Sequence, residues 1–432
     1  MCMPQFIISA PASGAGKTTV TRALMAALRK RGLRVQPFKG GPDYIDPKFH
    51  AAVCGRPSVN IDTFLATPEH ARALYAHYAA GAEACVVEGM MGLFDGYDRA
   101  RGSTAEIAQL LGLPVVLVVD AAHAAYSTSP LLSGFARFDT ALRIAGVVFN
   151  KVGSLRHERL LRQAAADAGV ACLGCLPRRR DMEQPSRYLG LDFARQLLDG
   201  GWAQWVEDHV DVEGMMALTG PAPAPVACLG KRGAGGEKPL FVVARNEDSF
   251  SFVYQAHLDL LASLGQVVCF DPEQDFEIPS GTGLLYLPGG YPEQHAAALQ
   301  AAEGTRRAIQ RYAAGGGRIL AECGGMMYLC ERLLCDDGDY AMCGVLPYTI
   351  SARKQDRRLS LGYRQIEHGN LRLRGHEFHY TQFHGPLPPS AGTVRNAVGE
   401  AVASPFIHQG NVIASYTHLY WAEQGNPLSL FG

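Results

Sequence analysis

Residues 13–19 have the composition and order of a phosphate-binding loop. They read S-G-A-G-K-T-T and follow an apolar run, residues 6–8, of the kind that forms a buried strand. In such a loop the glycines turn backbone N–H groups toward a polyphosphate, the lysine neutralises its outer oxygens, and a hydroxyl at the helix N-terminus can bind Mg²⁺. The strict pattern has a further glycine where this chain has Pro11, at the position farthest from the phosphates. The sequence predicts nucleotide binding here rather than a glycine-rich turn with an exposed lysine.

A pair of carboxylates directly follows the next predicted strand, residues 34–39. The chain continues from Lys39 as K-G-G-P-D-Y-I-D-P, in which two prolines stiffen the segment. Open α/β sheets place their chemistry at the carboxyl ends of their strands. We therefore interpret Asp43, Tyr44 and Asp46 as active-site residues. The alternative is a solvated, aspartate-rich turn.

A second pair of carboxylates follows the predicted strand at residues 84–87. Glu88 stands at the end of that strand, and Asp95 lies further along the glycine-containing loop E-G-M-M-G-L-F-D-G. Acids at the tips of neighbouring strands can bind Mg²⁺ on ATP from the side opposite Thr18. These residue types predict a site for a magnesium–nucleotide complex.

Cys323 has the sequence context of a nucleophile. A predicted strand at residues 318–322 runs into this cysteine, which is followed by two glycines and a predicted helix at 326–333. This strand–elbow–helix order exposes a nucleophile above a sheet, and proximity to a helix N-terminus is expected to lower the pKa of the thiol. A cysteine more often packs a core, so a basic partner is needed. His418, at the end of a predicted strand over residues 411–417, is the candidate.

Two further groups of residues suggest chemistry less strongly. Cys172 and Cys175 have redox or metal spacing but no second pair, and we interpret them as core packing. His376 and His379 alternate with apolar residues, which favours a strand with substrate-side residues over a metal site.

Apolar strands alternate with helical segments over the first 176 residues. Further strands are predicted at 114–120, 144–149 and 171–176, and helices at 69–81 and 155–168, which gives a doubly wound parallel sheet. Asn150, at the end of one strand, is a candidate for reading the adenine edge, although an asparagine also commonly ends a strand by bonding to its own backbone.

The chain changes character between residues 211 and 238, where proline, alanine and glycine dominate and apolar periodicity is lost. We predict a linker there, between an ATP-dependent domain at 1–210 and a second α/β domain at 239–432. In the second domain, strands are predicted at 240–244, 267–270 and 284–287, and a helix at 253–264.

Composition narrows the function classes. The 432 residues carry a net charge of −1, and 47% of them are hydrophobic, which fits a globular protein of two or three domains and calls for neither nucleic acid nor an anionic membrane as partner. The 11 cysteines are scattered and odd in number, so a disulfide framework is not expected. With no signal-peptide pattern and no apolar run long enough to span a membrane, the expectation is a cytoplasmic protein. Whether it forms a homodimer stays open.

Taken together, these motifs resemble those of the cobyrinic acid a,c-diamide synthase family, which are glutamine-dependent amidoligases of cobalamin biosynthesis. The resemblance covers nearly the whole chain and includes V-Q-P-F-K at 35–39, G-P-D-Y-I-D-P at 41–47, L-P-G-G-Y-P-E at 287–293 and A-E-C-G-G at 321–325. It implies an N-terminal synthetase domain of the dethiobiotin-synthetase type followed by a class I glutamine amidotransferase-like domain.

The resemblance also implies roles for individual residues. ATP would be bound by Ser13, Gly14, Gly16, Lys17, Thr18, Thr19 and Asn150. Magnesium would be bound by Thr18, Asp43 and Glu88, with Asp43, Tyr44, Asp46 and Asp95 near the activated carboxylate. Cys323 would be the glutaminase nucleophile, His418 its base, and the backbone of Gly289 and Gly290 the oxyanion hole.

The implied reaction uses ATP to phosphorylate a corrinoid carboxylate, which ammonia released from L-glutamine then attacks. Class I amidotransferases usually have an acid two residues after the histidine, whereas this chain has Tyr420 there, so a Cys–His dyad is expected. Relatives within the family act on cobyrinic acid, hydrogenobyrinic acid or nickel-sirohydrochlorin. A rival of another class is a P-loop ATPase switch whose amidotransferase-like half is inactive, an interpretation that leaves Cys323 without a purpose.

Overall fold

A computed structural model of the chain describes residues 3–179, 201–223 and 238–432. They form two compact units: Met1–Thr63 with Thr67–Ala227, and Phe64–Ala66 with Cys228–Gly432. Residues 211–223, which the sequence assigned to the linker, instead pack on the first unit. Asp211 caps the helix Val212–Met216, and the carbonyl of Leu218 accepts a hydrogen bond from the backbone of Gln5 at 2.9 Å. The rest of the predicted linker, residues 224–237, lies outside the described residues.

The first unit is built on a sheet of seven parallel strands in the order β3-β2-β4-β1-β5-β6-β7. Helices cover both faces of such a sheet, which is why its strands read as continuous apolar runs. The strands are β1 (Gln5–Ser9), β2 (Val35–Gly40), β3 (Val59–Ile61), β4 (Ala84–Glu88), β5 (Val115–Asp120), β6 (Ile144–Val152) and β7 (Cys172–Pro177). From β1 the chain first forms β2, β3 and β4 on one side of the sheet and then β5, β6 and β7 on the other. Strand β1 therefore lies where the strand order reverses, which is the usual place for a ligand.

Several helices of the first unit begin at a side-chain cap. The side chains of Thr67, Ser103 and Ser154 each accept the N–H of the residue three positions on. The helices are α1 (Lys17–Lys30), α2 (Asp46–Cys54), α3 (Pro68–Ala79), α4 (Thr104–Leu111), α5 (Thr128–Phe138), α6 (Leu155–Asp167), α7 (Trp202–His209) and α8 (Val212–Met216). The predicted doubly wound α/β fold is confirmed.

The second unit has a six-stranded main sheet in the order β19-β20-β11-β10-β8-β9, parallel except for the edge strand β19. Its strands are β8 (Leu240–Ala244), β9 (Gln266–Phe270), β10 (Thr282–Leu287), β11 (Ile319–Glu322), β19 (Phe406–Gln409) and β20 (Val412–Ser415). Its helices are α9 (Gln255–Leu264), α10 (Ala296–Ala301), α11 (Glu303–Ala314) and α12 (Gly324–Leu329).

Two four-stranded sheets, which the sequence did not predict apart from the strand around His376, complete the second unit. Their orders are β13-β12-β14-β17 and β18-β15-β16-β21. The strands are β12 (Cys330–Leu334), β13 (Asp339–Ala341), β14 (Leu346–Ser351), β15 (Ser360–His368), β16 (Leu371–His379), β17 (Gln382–Phe383), β18 (Thr393–Asn396) and β21 (His418–Tyr420).

Two predictions of elements in this unit were wrong in part. The predicted helix at 326–333 ends at Leu329, and the next five residues form β12, because pairing with β13 and β14 outweighs helix propensity. The predicted strand before His418 ends at Ser415, and His418 begins a strand of another sheet. Across the described ranges, no helix has the length and hydropathy that a membrane span requires.

Candidate active site

The phosphate loop of the first unit joins the end of β1 to Lys17, the first residue of α1. Gly14 and Gly16 have φ angles of 82° and 92°, in the region that favours glycine. The Asn150 amide donates a hydrogen bond to the carbonyl of Ala15 at 3.0 Å, and a Cβ at Gly16 would lie 2.2 Å from the same nitrogen. Asn150 thus supports the loop from β6, and its predicted contact with adenine stays a prediction.

Lys17 is 8% exposed and donates a hydrogen bond to the carbonyl of Met91. Burial lowers the pKa of Lys17, and the nearby Glu88 carboxylate opposes that shift. The ammonium group therefore lies next to the carboxylate cluster of the first unit, on the loop that would enclose a polyphosphate.

Glu88, at the end of β4, is fully buried and accepts hydrogen bonds from three side chains. The donors are the Thr18 hydroxyl at 2.6 Å, the Lys39 ammonium at 3.0 Å and Nε2 of His50 at 2.7 Å. Burial alone would raise the pKa of Glu88, but the charge of Lys39 and the bond from His50 outweigh it and lower the pKa well below the ordinary value. Glu88 is therefore held as a carboxylate beside Thr18.

Asp46 contributes the second buried carboxylate of this cluster. Its oxygens lie 2.6 Å from the Lys39 ammonium and 3.2 Å from the Arg22 guanidinium, and the Thr18 hydroxyl is 3.5 Å away. Burial, together with repulsion from Glu88, raises the pKa of Asp46 to about 7. Asp46 therefore belongs to the same cluster as Thr18 and Glu88, and its predicted place near the activated carboxylate stays a prediction.

Asp43 makes local contacts, and its predicted binding of magnesium stays a prediction. One of its oxygens accepts the backbone N–H groups of Ile45 and Asp46, at 2.7 and 3.1 Å, and the other lies 3.8 Å from the Lys39 ammonium. The carboxylate therefore stabilises the turn into α2, as aspartates before helices do.

The other predicted residues of this half are less tightly placed. Asp95 accepts the backbone N–H of Gly92 at 2.9 Å, which closes its own turn. Ser13 is exposed, and Thr19 and Tyr44 are partly exposed. Their predicted contacts with ATP and substrate stay predictions.

Three residues near this site were missed by the sequence analysis as functional candidates: Arg22, Lys39 and His50. Lys39 lies one residue before the end of β2 and pairs in register with Glu88 at the end of β4, so the rule that selected Glu88 applies to it as well. Arg22 is four residues after Thr18 on α1 and therefore on the same face. No sequence signal marks His50, whose two ring nitrogens contact Glu88 and the Ser58 hydroxyl.

The hydroxyl oxygen of Thr18 and the carboxylate oxygens of Glu88 are suitable ligands for a magnesium ion, which prefers oxygen ligands of these kinds. Within the ranges that the structure covers, no group of three or more histidine, cysteine, aspartate or glutamate side chains is arranged to hold a metal. The Lys39 ammonium supplies the positive charge between Glu88 and Asp46.

In the second unit, Cys323 sits on a sharp turn between β11 and α12. Its backbone has φ 47° and ψ −107°, a conformation that residues other than glycine rarely adopt. The backbone N–H of Cys323 donates a hydrogen bond to the carbonyl of Ser415 at 2.7 Å. The strand–elbow–helix arrangement predicted from the sequence is therefore present. The residue is only 4% exposed.

The predicted net lowering of the Cys323 pKa was wrong, although the backbone N–H of Gly324, at the start of the helix, does act to lower it. Burial raises the pKa of this thiol well above its ordinary value, and the nearby Glu293 carboxyl adds to the shift. The helix that follows has only six residues, so its dipole is small. The thiol is neutral in this arrangement.

The predicted oxyanion-hole glycines lie beside both catalytic candidates. A Cβ at Gly289 would be 2.1 Å from Cε1 of His418, and a Cβ at Gly324, next to the cysteine, would be 3.0 Å from the backbone nitrogen of Gly290. Burial, followed by the positive fields of His376 and His379, lowers the pKa of His418 to about 3. The imidazole is therefore neutral at physiological pH, as a general base must be.

His376 and His379 lie on β16, as the strand interpretation predicted, and His376 is the register partner of His418. Glu377 between them accepts hydrogen bonds from Arg364 at 2.8 Å and from His379 at 2.9 Å. Burial would raise the pKa of Glu377, but the His379 bond and the charges of His379 and Arg364 hold it at about 2.

Glu322, which directly precedes Cys323, connects the end of β11 to β21, the strand that begins with His418. Its carboxyl accepts the backbone N–H of Leu419, the residue after His418, at 3.2 Å, and the Tyr286 hydroxyl at 2.8 Å. Burial raises the pKa of Glu322 to about 8, partly opposed by the Tyr286 bond. The sequence analysis missed this residue; an acid in a buried strand position was the available signal.

Comparison with protein families divides the chain as its two units do. Residues 6–191 match the CobQ/CobB/MinD/ParA nucleotide binding domain, and residues 242–426 match the CobB/CobQ-like glutamine amidotransferase domain. The predicted pairing of a nucleotide-binding half with an amidotransferase half is confirmed.

Curated relatives match the chain over nearly its full length. The hydrogenobyrinate a,c-diamide synthase of Mycobacterium tuberculosis is 41% identical, covering 98% of this chain and 96% of that protein. The protein of the same name from Streptomyces coelicolor is 40% identical over 98% and 95% of the two chains. The cobyrinate a,c-diamide synthase of Gloeobacter violaceus is 40% identical over 97% and 94%.

Proposed function

The chain belongs to the a,c-diamide synthase family, and we propose that it amidates the a and c side-chain carboxylates of a corrinoid with ATP and glutamine. The corrinoid would be cobyrinic acid or hydrogenobyrinic acid, since relatives named for both are about 40% identical to this chain. The observation that carries the proposal is the presence of both halves of the chemistry: a phosphate loop that leads to Thr18 beside Glu88, and a cysteine elbow and His418 that both border the turn at Gly289 and Gly290.

The first half-reaction makes the carboxylate reactive. A carboxylate oxygen of the substrate attacks the γ-phosphorus of ATP, ADP leaves, and an acyl phosphate forms. The backbone N–H groups of the loop and the Lys17 ammonium stabilise charge on the transferred phosphoryl group. Mg²⁺ held by Thr18 and Glu88 would neutralise further phosphate charge.

The other residues of this cluster keep Glu88 and Thr18 in place. His50 donates to one oxygen of Glu88 while Lys39 and Thr18 bond to the other, which fixes the plane of the carboxylate. Arg22 and Lys39 together balance the charge of Asp46. These contacts therefore hold the binding side chains in position before a ligand arrives.

The second half-reaction releases ammonia from glutamine. His418, which is neutral, takes the proton of the Cys323 thiol as the sulfur attacks the carboxamide carbon. The oxyanion that forms is stabilised by backbone N–H groups at Gly289 and Gly290. Ammonia leaves with a proton returned by His418, and water then hydrolyses the glutamyl thioester to glutamate.

The released ammonia attacks the acyl phosphate, which yields the amide and inorganic phosphate. The sequence of steps occurs twice, once for each carboxylate. Because both ATP and free glutamine are cytoplasmic metabolites, the same proposal places the enzyme in the cytoplasm.

A substrate panel tests this proposal. Cobyrinic acid, hydrogenobyrinic acid and nickel-sirohydrochlorin are each incubated with the full chain, ATP, Mg²⁺ and glutamine, and the products are analysed by mass spectrometry. We expect a corrinoid to gain two amides, with one glutamate and one ADP formed per amide. Glutaminase activity without amidation of any corrinoid would contradict the proposed substrate, and absence of both activities would favour the ATPase switch.

A further inference from the structure

Cys172 and Cys175 lie on β7, the edge strand of the first unit, with their sulfur atoms 3.9 Å apart. Successive side chains of a strand point to opposite faces, so residues three apart normally diverge. The contact between these two thiols therefore needs a local departure from regular strand geometry.

A β-bulge supplies that departure. Across β6, Cys172 and Cys175 pair with Val147 and Phe149, which are two residues apart and hence face the same side. Strand β7 therefore contains one residue more than β6 between these points, and the extra residue is Leu173. The bulge brings both cysteines to one face of the sheet.

The neighbouring strand is shaped to accept this bulge. A Cβ at Gly146 would lie 2.6 Å from the side chain of Leu173, which is itself 8% exposed. Only a glycine leaves room for the buried leucine there, so the bulge, and with it the pairing of the thiols, is built into the packing of β6 and β7.

The two thiols have different surroundings. Cys172 is partly exposed, and the Arg162 guanidinium lies 3.7 Å from its sulfur, whereas Cys175 is 3% exposed. The hydrogen bond from Cys175, followed by the charge of Arg162, lowers the pKa of Cys172 to about 7 against the effect of burial. That hydrogen bond and burial raise the pKa of Cys175. Cys172 is thus the nucleophile of the pair.

We propose that Cys172 and Cys175 form a reversible disulfide by exchange with a low-molecular-weight disulfide such as oxidised glutathione. The Cys172 thiolate attacks one sulfur of the oxidant, which breaks its S–S bond and releases one glutathione thiolate. The Cys175 sulfur, losing its proton, then attacks Cys172 and displaces the second glutathione. The two protein thiols are oxidised and one glutathione disulfide is reduced to two thiols. The sulfurs need only close from 3.9 Å to a bond length of about 2 Å.

The test treats the reduced full chain with oxidised glutathione, quenches with acid, and maps the cysteines by mass spectrometry. We expect the peptide that contains both cysteines to lose two hydrogen atoms, and dithiothreitol to restore it. Cys269, which is exposed and has no thiol partner three residues away, is the internal control and should keep its glutathione adduct. A reduced pair in a sample in which Cys269 has reacted would overturn the proposal, as would a lasting adduct on Cys172.

Matched variants separate the two roles without affecting the proposed catalytic residues. Cys175→Ser should trap glutathione on Cys172, and Cys172→Ser should leave Cys175 unmodified. Arg162→Gln should slow oxidation about tenfold, because it reduces the thiolate fraction of Cys172. Equal rates in Arg162→Gln and the parent chain, or a reactive Cys175 in Cys172→Ser, would contradict the assigned roles.

Discussion

The two candidate sites of this protein differ in how they hold charge. In the first unit, the Arg22 and Lys39 side chains lie 2.6–3.8 Å from carboxylates of Asp43, Asp46 and Glu88, and the Glu88 carboxylate also acts on the pKa of Lys17. In the second unit, the nucleophile and its base are buried and neutral. The first site is organised for a charged ligand before that ligand arrives, whereas the reacting pair of the second site, Cys323 and His418, acquires charge only as glutamine reacts.

The difference follows from the chemistry that each site performs. Phosphoryl transfer moves a multiply charged group, and fixed charges lower its barrier without reorganisation. Acyl transfer from an uncharged carboxamide needs charge only in the transition state, so a dry and neutral pair avoids the cost of a resting buried ion pair. The predictions below test this contrast, in order of decreasing expected effect.

Replacing Cys323 by serine should lower glutamine-dependent amidation by on the order of 10³-fold or more, because a hydroxyl is a far weaker nucleophile than a thiolate and a Cys–His dyad is not built to deprotonate it. Ammonium salts at mildly alkaline pH should restore ATP-dependent amidation, measured by product mass. Retained glutamine use would remove Cys323 as the nucleophile. Failure of ammonia rescue in a folded variant would mean that the two sites are not chemically separable.

Lys17→Ala should reduce amidation by about 10²- to 10³-fold, since a buried charge on the phosphoryl group is lost. Hydrolysis of glutamine, followed by glutamate release, should stay measurable because it uses the other unit. Arg29→Ala, at the far end of the same helix, is the control variant. Normal amidation by Lys17→Ala at saturating ATP would exclude the assigned role.

Alkylation of Cys323 by iodoacetamide should rise about tenfold per pH unit from pH 6 to 8 without a plateau, since the raised pKa keeps the thiolate fraction small. Alkylation of the exposed Cys269 in the same sample is the control that shows that the reagent is active. A plateau near neutral pH would show that the thiol already exists as thiolate, and the contrast between the two sites would then fail.

Glu88→Gln should raise the Mg²⁺ concentration needed for half-maximal amidation by about tenfold or more, because a carboxylate ligand becomes a neutral amide. Glutamine hydrolysis should be unaffected. The comparison is Asp95→Asn. Asp95 is an acid of the same loop, and its carboxylate accepts the backbone N–H of Gly92. An unchanged Mg²⁺ requirement would leave Glu88 a purely structural residue.

Glu322→Gln should have the smallest effect on catalysis, and its effect on fold stability should depend on pH. The folded chain holds the Glu322 proton with a pKa of about 8, above the ordinary carboxyl value, so the stability from this group is present at low pH and lost as the pH rises through about 8. Relative to the variant, which cannot ionise, the parent should lose about 1 kcal/mol per pH unit between roughly pH 5 and 8. Hydrogen exchange of the β11 amides measures this; equal losses in both proteins would contradict it.

The sequence predicted the first unit well because its signals are local. An apolar run before a glycine-rich turn locates β1 and Lys17, and strand ends locate Glu88. The sequence could not indicate which of Asp43 and Asp46 lies nearer to Thr18, because both acids follow the same strand. The start of α2 gives Asp43 the backbone N–H groups of the turn and brings Asp46 to 3.5 Å from the Thr18 hydroxyl.

The second unit was harder to predict because its decisive contacts are distant in sequence. The residues after Leu329 have a helical pattern but form β12 through pairing with two later strands. The raised pKa of Cys323 depends on burial by the whole unit rather than on its neighbours in sequence. The contact between Cys172 and Cys175 likewise depends on one extra residue relative to another strand, which alternation within β7 alone cannot show.

The backbone conformation at Cys323 lowers the stability of the fold at a residue that the proposed activity needs. A non-glycine residue at φ 47° is strained, at a cost of order 1–3 kcal/mol that glycine at the same position would avoid. A search for more stable variants would therefore favour Cys323→Gly and remove the thiol. If Cys323 is the glutaminase nucleophile, as proposed, selection for the use of glutamine must retain a residue that the backbone conformation alone disfavours.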